Sequence, residues 1–157
     1  MHRSGDLSEQ QLLAWRQFLR AHALVTRRLE ADLLAEQRLP LASYDVLVQL
    51  VEAPDRRLRM SQLAERVLLS RSGLTRLVDR LEREGLVRRE ACDSDARGLF
   101  TVLTAKGLDR LRAASPVHLR GVASYAVGRL AQDEAVELAA LLGRFVDDAG
   151  EDISRAG

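Results

Sequence analysis

One stretch of the sequence, residues 61–104, constrains the fold more than any other, because the spacing of its apolar residues changes within it. Ser61 opens a short segment whose apolar spacing predicts a helix as far as Val67, and a tight connection follows. Ser70 is then a good N-cap for a longer helix, which Gly85 ends as a C-terminal cap. Two helices joined by a tight turn predict a helix-turn-helix.

The segment after these two helices has the residue composition that is typical of β-strands. Residues 86–90 and 99–103 are short, and the second of them is rich in Phe, Thr, Val and Leu. They flank a polar, turn-forming loop at residues 92–98, and this order predicts a two-stranded hairpin with a projecting tip. Because a lone hairpin is unstable in water, we expect it to lie against the preceding helices. The whole unit then has the order of a winged helix-turn-helix.

Long helices are predicted on both sides of this unit. The first runs from about Leu7 to Arg38 and begins with a capping box of Ser8 and Gln11. Its apolar stripe has steps of three and four residues: Leu12, Trp15, Leu19, His22, Thr26, Leu29 and Leu33. A similar stripe follows the N-cap Thr104, and it consists of Leu108, Leu111, Ser115, His118, Val122 and Tyr125. Because a long helix with a narrow apolar seam usually needs a partner helix, these stripes predict a dimer.

The expected fold class is therefore mainly α with a small β-hairpin wing, a winged helix-turn-helix plus long terminal dimerisation helices. Residues 7–38 and 105–148 form the helical dimerisation region, and residues 41–104 form the winged helix-turn-helix. Residues 53–57 read as a loop by composition, and the last helix starts at Gln132. Residues 1–6 and 149–157 are expected to be flexible ends.

Composition narrows the class of protein further. Hydrophobic residues make up 46% and charged residues 30% of the 157 residues, which excludes a disordered polymer. The net charge is +1, yet residues 53–98 carry 11 basic and 8 acidic side chains, an excess of +3. Cys92 is the only cysteine, so no intrachain disulfide can form and a reduced, cytoplasmic compartment is expected. No apolar run is long enough to span a membrane, and the N-terminal segment lacks the features of a signal peptide.

The predicted second helix carries the residue types that read a DNA groove. A helix held on a compact support fits the major groove, and its first turn directs unpaired N–H groups and positive dipole at phosphates. Small or hydrogen-bonding side chains there allow close approach, and arginine bonds guanine or phosphate. The candidate contacts on this helix are Ser70, Arg71, Ser72, Thr75, Arg76 and Arg80. The alternative for such arginines is a solvated, ion-paired face, which we favour for Arg83 because Asp79 lies four residues before it.

The hairpin tip supplies a second candidate contact. Arg97, next to a glycine, can enter the negative potential of a narrow minor groove. Asp95 would repel phosphate if it were free, so we expect it to brace the arginine or to close the turn. The alternative is an ordinary polar hairpin turn.

Enzyme activity is not expected. The three histidines show no metal-ligand spacing, and the phosphate-binding, dinucleotide, zinc-protease and nucleophile-elbow motifs are all missing from the sequence. No cofactor or metal is therefore predicted. The remaining alternative is a winged-helix module that binds protein without DNA, because fold alone does not establish function. Convergence of Arg71, Arg76 and Arg97 on one surface would favour DNA.

Two segments of the sequence resemble those of a known family. The wing segment reads DARGLFTVLTAKG, and the helix-turn-helix reads MSQLAERVLLSRSGLTRLVDRLEREGLVRR. Together they resemble the MarR family of regulators, and the similarity extends over about residues 7–148. The resemblance implies a homodimer with interlocked terminal helices, a palindromic double-stranded operator and a repressor that a small-molecule effector releases. It also implies wing roles for Asp95 and Arg97, and recognition-helix roles for Ser70, Ser72, Thr75 and Arg76.

The effector site has only generic candidates. His22 and His118 each interrupt an apolar seam, where an imidazole could bind an anion or simply form an interface hydrogen bond. An aromatic ligand could stack on Trp15, although packing explains that residue equally. Tyr44, Arg16 and Arg20 complete the generic candidates. Cys92 is not expected to sense oxidants, because its acidic neighbours disfavour the thiolate.

Overall fold

The structure, a computed structural model, describes residues 7–67, 71–92 and 95–154, with side chains described for residues 7–67, 72–91 and 98–146. The described part contains six α-helices, two short 3₁₀ helices at Pro54–Arg56 and Val127–Arg129, and three strands. In chain order the α-helices and strands are α1 (Glu9–Gln37), α2 (Leu41–Glu52), β1 (Arg57–Arg59), α3 (Met60–Val67), α4 (Arg71–Arg83), β2 (Val87–Cys92), β3 (Asp95–Leu103), α5 (Ala105–Tyr125) and α6 (Gln132–Ser154). The predicted fold class, mainly helical with a small wing, is confirmed.

Local capping explains where α1 begins and ends. The amide of Gln11 donates to the Ser8 hydroxyl at 3.2 Å, and the Ser8 amide donates to the Gln11 side chain at 2.8 Å, so the predicted capping box is present. Arg38 ends the helix in the left-handed conformation with a φ of 50°. Pro40 then stands at the N-cap of α2 with extended backbone, and α2 starts at Leu41.

The sheet differs from the predicted hairpin in two ways. It has three antiparallel strands in the order β1–β3–β2, and its third member, β1, includes Arg57, a residue that was predicted to lie in a loop. A three-residue strand with one apolar residue has no local signature, and its pairing partner Val102 lies 45 residues later. The predicted polar loop at residues 92–98 is also wrong, because β2 continues to Cys92 and β3 already starts at Asp95.

The core lies between the helix-turn-helix, α2, α5 and the inner face of the sheet. Its fully buried large side chains come from α1, α2, α3, α4 and β2: Leu33, Leu47, Leu50, Leu63, Leu74, Leu81 and Val87. Three residues of α5, Leu111, Ala114 and Val117, complete it. Each fully buried leucine contributes about 1.5–3 kcal/mol, so this layer holds the winged unit and α5 together as one body.

The apolar stripes of α1 and α5 are buried differently from what the sequence predicted. Leu29 and Leu33 of α1 are buried inside the chain, where α1 packs along α5. The stripe on α5 is also at least half-buried within the same chain, although it was predicted to need a partner helix. Exposed apolar side chains are instead concentrated on the N-terminal half of α1 and on α6, and they include Leu13, Trp15, Phe18, Leu138, Leu141 and Phe145.

Thr104 joins the winged unit to α5. Its hydroxyl accepts a hydrogen bond from the Gly107 amide at 3.0 Å, which confirms the predicted N-cap. The same hydroxyl lies 2.7 Å from the carbonyl of Gly85, just after the end of α4, and donates to it. Gly107 is needed because a Cβ there would lie 2.0 Å from the Leu86 carbonyl oxygen.

The two C-terminal α-helices, α5 and α6, are both long. Pro116 lies inside α5, which continues through it to Tyr125. The backbone of α6 is helical to Ser154, and the expectation that residues from 149 onward form a flexible end stays a prediction. Residues 1–6 and 155–157 lie outside the described part. None of the helices in the described ranges is both long and apolar enough to cross a membrane.

Candidate nucleic-acid interface

Helix α4 has one buried and one exposed face. Leu74, Leu77, Val78 and Leu81 are at most 5% exposed and anchor it in the core. The helical period of 3.6 residues turns the intervening positions outward, and all of them that have a described side chain are polar or charged. Those exposed residues are Ser72, Thr75, Arg76, Asp79, Arg80 and Arg83. The core thus presents a rigid polar helix face, as the sequence predicted.

The first turns of α4 bring together three of the predicted DNA contacts. Ser72 and Thr75 are exposed one turn apart. The Nε of Arg76 donates to the Ser72 carbonyl at 3.3 Å, so its guanidinium folds back toward the N-terminal end of the helix. The positive end of the helix dipole and an arginine therefore lie at the same place, which favours an anionic ligand such as a phosphate. Ser70 and the side chain of Arg71 lie outside the described part.

The other two arginines of α4 with described side chains lie further along the helix. Arg80 donates from Nη2 to the Ser43 hydroxyl on α2 at 3.4 Å, and Ser43 is buried. Arg83 donates from Nε to the carbonyl of Asp79 at 3.4 Å, which is a local bond to the backbone. Arg80 therefore lies between the recognition helix and α2, whereas Arg83 follows its own helix.

Arg89 contacts the candidate interface helix, and the sequence reasoning missed it. It lies on the inner face of β2, and its guanidinium contacts Asp79 Oδ1 at 2.6 Å and Glu82 Oε2 at 2.5 Å on α4. Its amide also donates to Glu82 Oε1 at 2.9 Å. Burial alone lowers the pKa of Arg89, but the hydrogen bonds to Asp79 and Glu82 outweigh that effect and raise it overall. The alternation of β2, which turns Arg89 inward beside Val87, was the available signal.

This contact changes the charge that α4 presents. Asp79 and Glu82 are the acidic residues in the middle of the helix, and both carboxylates bind the one-fifth exposed Arg89. One arginine that binds both carboxylates offsets about half of the negative charge that would otherwise repel phosphates. It also joins the recognition helix to the wing sheet. We name this three-residue arrangement the helix–wing clamp.

The wing tip is described only through its backbone. Asp95 and Arg97 lie on β3 at the hairpin end, in line with their predicted positions, and their side chains are outside the described part. The expectation that they contact a minor groove therefore stays a prediction. Cys92, at the end of β2, also has its side chain outside the described part.

The structure separates the candidate effector residues into two groups. Tyr44 and His118 stack with ring centroids 4.3 Å apart, and the Tyr44 hydroxyl donates to Ser115 at 3.4 Å. Burial lowers the pKa of His118, whose Nδ1 is buried without a hydrogen-bond partner. Trp15, Arg16 and His22 instead lie on the exposed N-terminal half of α1. A pocket formed by all five stays a prediction.

An open cleft of about 420 Å³ lies between α1, α2 and the end of α3. Its lining includes Glu30 and Asp45, which the sequence did not single out. The Glu30 carboxylate accepts the amide of Leu41 at 2.5 Å and so caps α2. Burial, and then the charge of Glu30, raise the pKa of Asp45. Among the residues with described side chains, no three potential metal ligands come together.

The comparisons with known proteins agree with this geometry. Residues 39–98 match the model of the MarR family. YkoM of Bacillus subtilis, an HTH-type transcriptional regulator, is 34% identical over 84 residues, which is 54% of this chain and 54% of YkoM. The chain spans about half the length of the curated relatives it matches.

Two solved structures from Streptomyces coelicolor match over nearly the whole chain. AbsC, a MarR family transcriptional regulator, is 36% identical with a TM-score of 0.85, and the match covers 94% of this chain and 99% of AbsC. Sco3205, a MarR family transcriptional regulator in complex with DNA, is 36% identical with a TM-score of 0.84, and the match covers 92% of this chain and 91% of Sco3205. This protein therefore belongs to the MarR family of winged-helix transcriptional regulators.

Proposed function

We propose that this protein is a repressor that binds a specific double-stranded operator as a homodimer. The observation that carries the proposal is the N-terminal end of α4, where Ser72, Thr75 and Arg76 are exposed together. The helix–wing clamp supports it, because the acidic residues of α4 are bound by Arg89. The DNA complex of the similar protein Sco3205 supports the same choice of ligand.

The recognition helix then enters the major groove with its N-terminus first. Ser70, Arg71, Ser72, Thr75 and Arg76 contact bases and phosphates there. Arg80 lies beside α2 and serves the backbone at the edge of the groove. The wing tip, with Asp95 and Arg97, enters the adjacent minor groove, and the negative potential of that groove favours arginine.

The homodimer rests on the exposed apolar side chains of the terminal helices. Phe18 of α1 and Phe145 of α6 meet edge to face at 6.1 Å, and Trp15 stacks on Phe18 at 6.0 Å. All three rings remain at least 39% exposed. Since soluble monomers avoid contiguous exposed apolar surface, a second copy of the chain covers these rings. Two-fold symmetry then makes the operator palindromic, with half-sites about 34–36 Å apart.

A small-molecule effector releases the DNA in this proposal. PcaV, a transcriptional regulator of Streptomyces coelicolor that is 28% identical to this chain, was crystallised in complex with its natural ligand. Tyr44 and His118 lie where α2 meets α5, between the winged unit and the terminal helices. Trp15, Arg16 and His22 complete the proposed pocket in the dimer. The protein works in the cytoplasm without a cofactor or a metal.

The test is a gel shift with the DNA immediately upstream of the protein's own gene. We expect wild-type protein to bind it, and Arg76→Gln and Arg97→Ala each to lower the affinity by about tenfold. Arg112→Gln is the matched control, since Arg112 lies exposed on α5 away from α4. The logarithm of the affinity should fall with that of the salt concentration, with a slope near −0.9 for each neutralised phosphate. A flat salt response, or equal affinity of all four proteins, contradicts the proposal and indicates a protein partner.

A further inference from the structure

Helix α1 holds the end of α5 at one place, which lies between the winged unit and the rings that the proposed dimer buries. Tyr125 is the last residue of α5, and its hydroxyl donates to Asp32 Oδ2 on α1 at 2.7 Å. One turn earlier on α1, the guanidinium carbon of Arg28 lies 5.3 Å from the centroid of the Tyr125 ring. Helix α1 therefore contacts both the hydroxyl and the face of this tyrosine.

A glycine lets the two helices approach closely beside this contact. A Cβ on Gly121 would lie 2.6 Å from Leu29 Cδ2 and 3.4 Å from Tyr125 Cε2, so a larger residue would displace the leucine or separate the helices. Gly121 is buried, and Leu29 is 6% exposed. Because close-packed atoms resist displacement, this contact fixes the distance and the angle between α1 and α5. We name its five residues the waist: Arg28, Leu29, Asp32, Gly121 and Tyr125.

The hydrogen bond at the waist is of the stronger kind. A hydroxyl that donates to a carboxylate forms a charge-assisted bond. This bond raises the pKa of Tyr125, so the phenol stays protonated and remains the donor. Tyr125 and Asp32 are both partly buried, so solvent screens their bond less than it screens the nearby ion pair of Arg120 and Glu36, whose side chains are 59% and 48% exposed.

The waist lies between the winged unit and the exposed rings of the terminal helices. Leu33, next to Asp32, is fully buried in the core that holds the winged unit. Phe18, which contacts Phe145 of α6, lies about 21 Å before Asp32 along α1. Helix α5 begins against the C-terminal end of α4 and ends at the waist. A change in the angle at the waist therefore tilts the recognition helix relative to the rings.

We propose that the waist sets the separation of the two recognition helices in the dimer and thereby selects the spacing of the operator half-sites. This inference rests on the proposed function. In a two-fold dimer a tilt occurs in both subunits, so the separation changes from both sides. One base pair inserted between the half-sites moves them apart by about 3.4 Å and rotates them by about 35°. A stiff waist cannot follow that change, and Tyr125 is a positioning residue that contacts no DNA.

The experiment measures the affinity for three duplexes. One is the palindrome located by a DNase footprint on the upstream DNA, and the others have one base pair inserted or removed at its centre. Wild-type protein should bind the first about a hundredfold more tightly, because a mismatched spacing has to be met by deforming the DNA. Tyr125→Phe, which keeps the ring beside Arg28 but loses the hydroxyl, should lower this preference to about tenfold. Asp32→Ala should do the same, whereas Asp32→Asn, whose amide oxygen still accepts, should keep most of the preference.

Arg112→Gln, on α5 outside the waist, is the matched control and should keep the full preference. A second measurement uses no DNA. A nitroxide label on Cys92, the single cysteine of the chain, reports the distance between the two wings of a dimer. Double electron–electron resonance should give a broader distance distribution for Tyr125→Phe than for wild type, because a softer waist allows more orientations of the winged unit.

Equal affinity of wild-type protein for the three duplexes overturns the inference. A Tyr125→Phe variant that keeps the full preference, or that loses the same factor on all three duplexes, also overturns it. Circular dichroism reports whether each variant is folded, and the two Asp32 variants decide if Tyr125→Phe is not. A wild-type protein that gives no footprint, or no distance between the labels, overturns the proposed function itself.

Discussion

Burial sets the protonation behaviour of His118, whose ring stacks on Tyr44 where α2 meets α5. Because burial lowers its pKa in the folded protein, the unfolded chain takes up a proton first as the pH falls. Above the unfolded pKa of about 6.5, the buried neutral imidazole costs the folded protein no stability. As the pH falls below that value toward the folded pKa, protonation of the unfolded chain lowers the free energy of unfolding.

We predict that the free energy of unfolding falls between pH 7.5 and pH 5.5 by a smaller amount in His118→Phe than in wild type. Phenylalanine keeps a ring against Tyr44 but has no proton to bind. Urea unfolding at the two pH values measures the difference. An identical pH dependence in His118→Phe would show that burial of this imidazole is not coupled to folding.

Two glycines in helices differ sharply in the space around them. A Cβ on Gly107 would lie 2.0 Å from the Leu86 carbonyl oxygen and 2.8 Å from Leu103 Cδ1, whereas Gly143 has nothing within 4 Å. We predict that Gly107→Ala destabilises the protein by about 3 kcal/mol through overpacking. Gly143→Ala should instead stabilise it by up to about 1 kcal/mol, because alanine favours a helix. Chemical denaturation compares the two, and a neutral Gly107→Ala would contradict the tight contact between α5 and the strand.

At the scale of elements, the helix–wing clamp is the polar contact that joins α4 to the sheet. Arg89 is one-fifth exposed, and the side chains of Asp79 and Glu82 are 50% and 38% exposed. Solvent therefore screens the attraction between these charges only in part, and the interaction is large enough to measure. Loss of the clamp removes this polar contact between α4 and the sheet and leaves Asp79 and Glu82 without Arg89. Both effects oppose DNA binding.

A double-mutant cycle on Arg89→Gln and Asp79→Asn should give a coupling energy of about 1 kcal/mol in urea unfolding. The matched cycle uses Arg112 and Asp109, an ion pair at 3.6 Å whose side chains are 69% and 76% exposed. That pair should couple by less than about 0.5 kcal/mol. Equal coupling energies in the two cycles would show that the clamp behaves as an ordinary surface pair.

At the scale of the whole molecule, the apolar rings shared by α1 and α6 are the basis of the proposed dimer. Phe18 and Phe145 contact each other within one chain and remain exposed, so a single copy leaves them in water. The two helices come from opposite ends of the chain. A dimer that covers them therefore joins both termini of each subunit.

We predict that wild-type protein sediments at about 35 kDa, twice the 17.5 kDa of one chain, and that Phe18→Asp/Phe145→Asp sediments as the monomer. The charged side chains cannot be buried in a symmetric contact without a large desolvation cost. Leu99→Asp, an exposed residue of the wing, should leave the mass unchanged. A monomeric wild type at micromolar concentration contradicts the homodimer.

Local interactions were readable in the sequence. The Ser8 capping box, the Thr104 N-cap and the glycine at position 85 involve partners a few residues apart, so residue type and spacing are sufficient to identify them. The order of helix, turn, helix and hairpin follows from apolar periodicity for the same reason. The resemblance to the MarR family was visible because its two strings are made of these local elements.

Long-range contacts were decided by the tertiary structure alone. Strand β1 exists because β3 passes beside it, and Arg89 binds Asp79 because β2 folds back over α4. Likewise, periodicity gave α1 a single stripe, but only packing against α5 buried Leu29 and left Trp15 exposed. Spacing along a chain specifies which face of an element is apolar, whereas the identity of the surface that covers it depends on where distant elements meet in space.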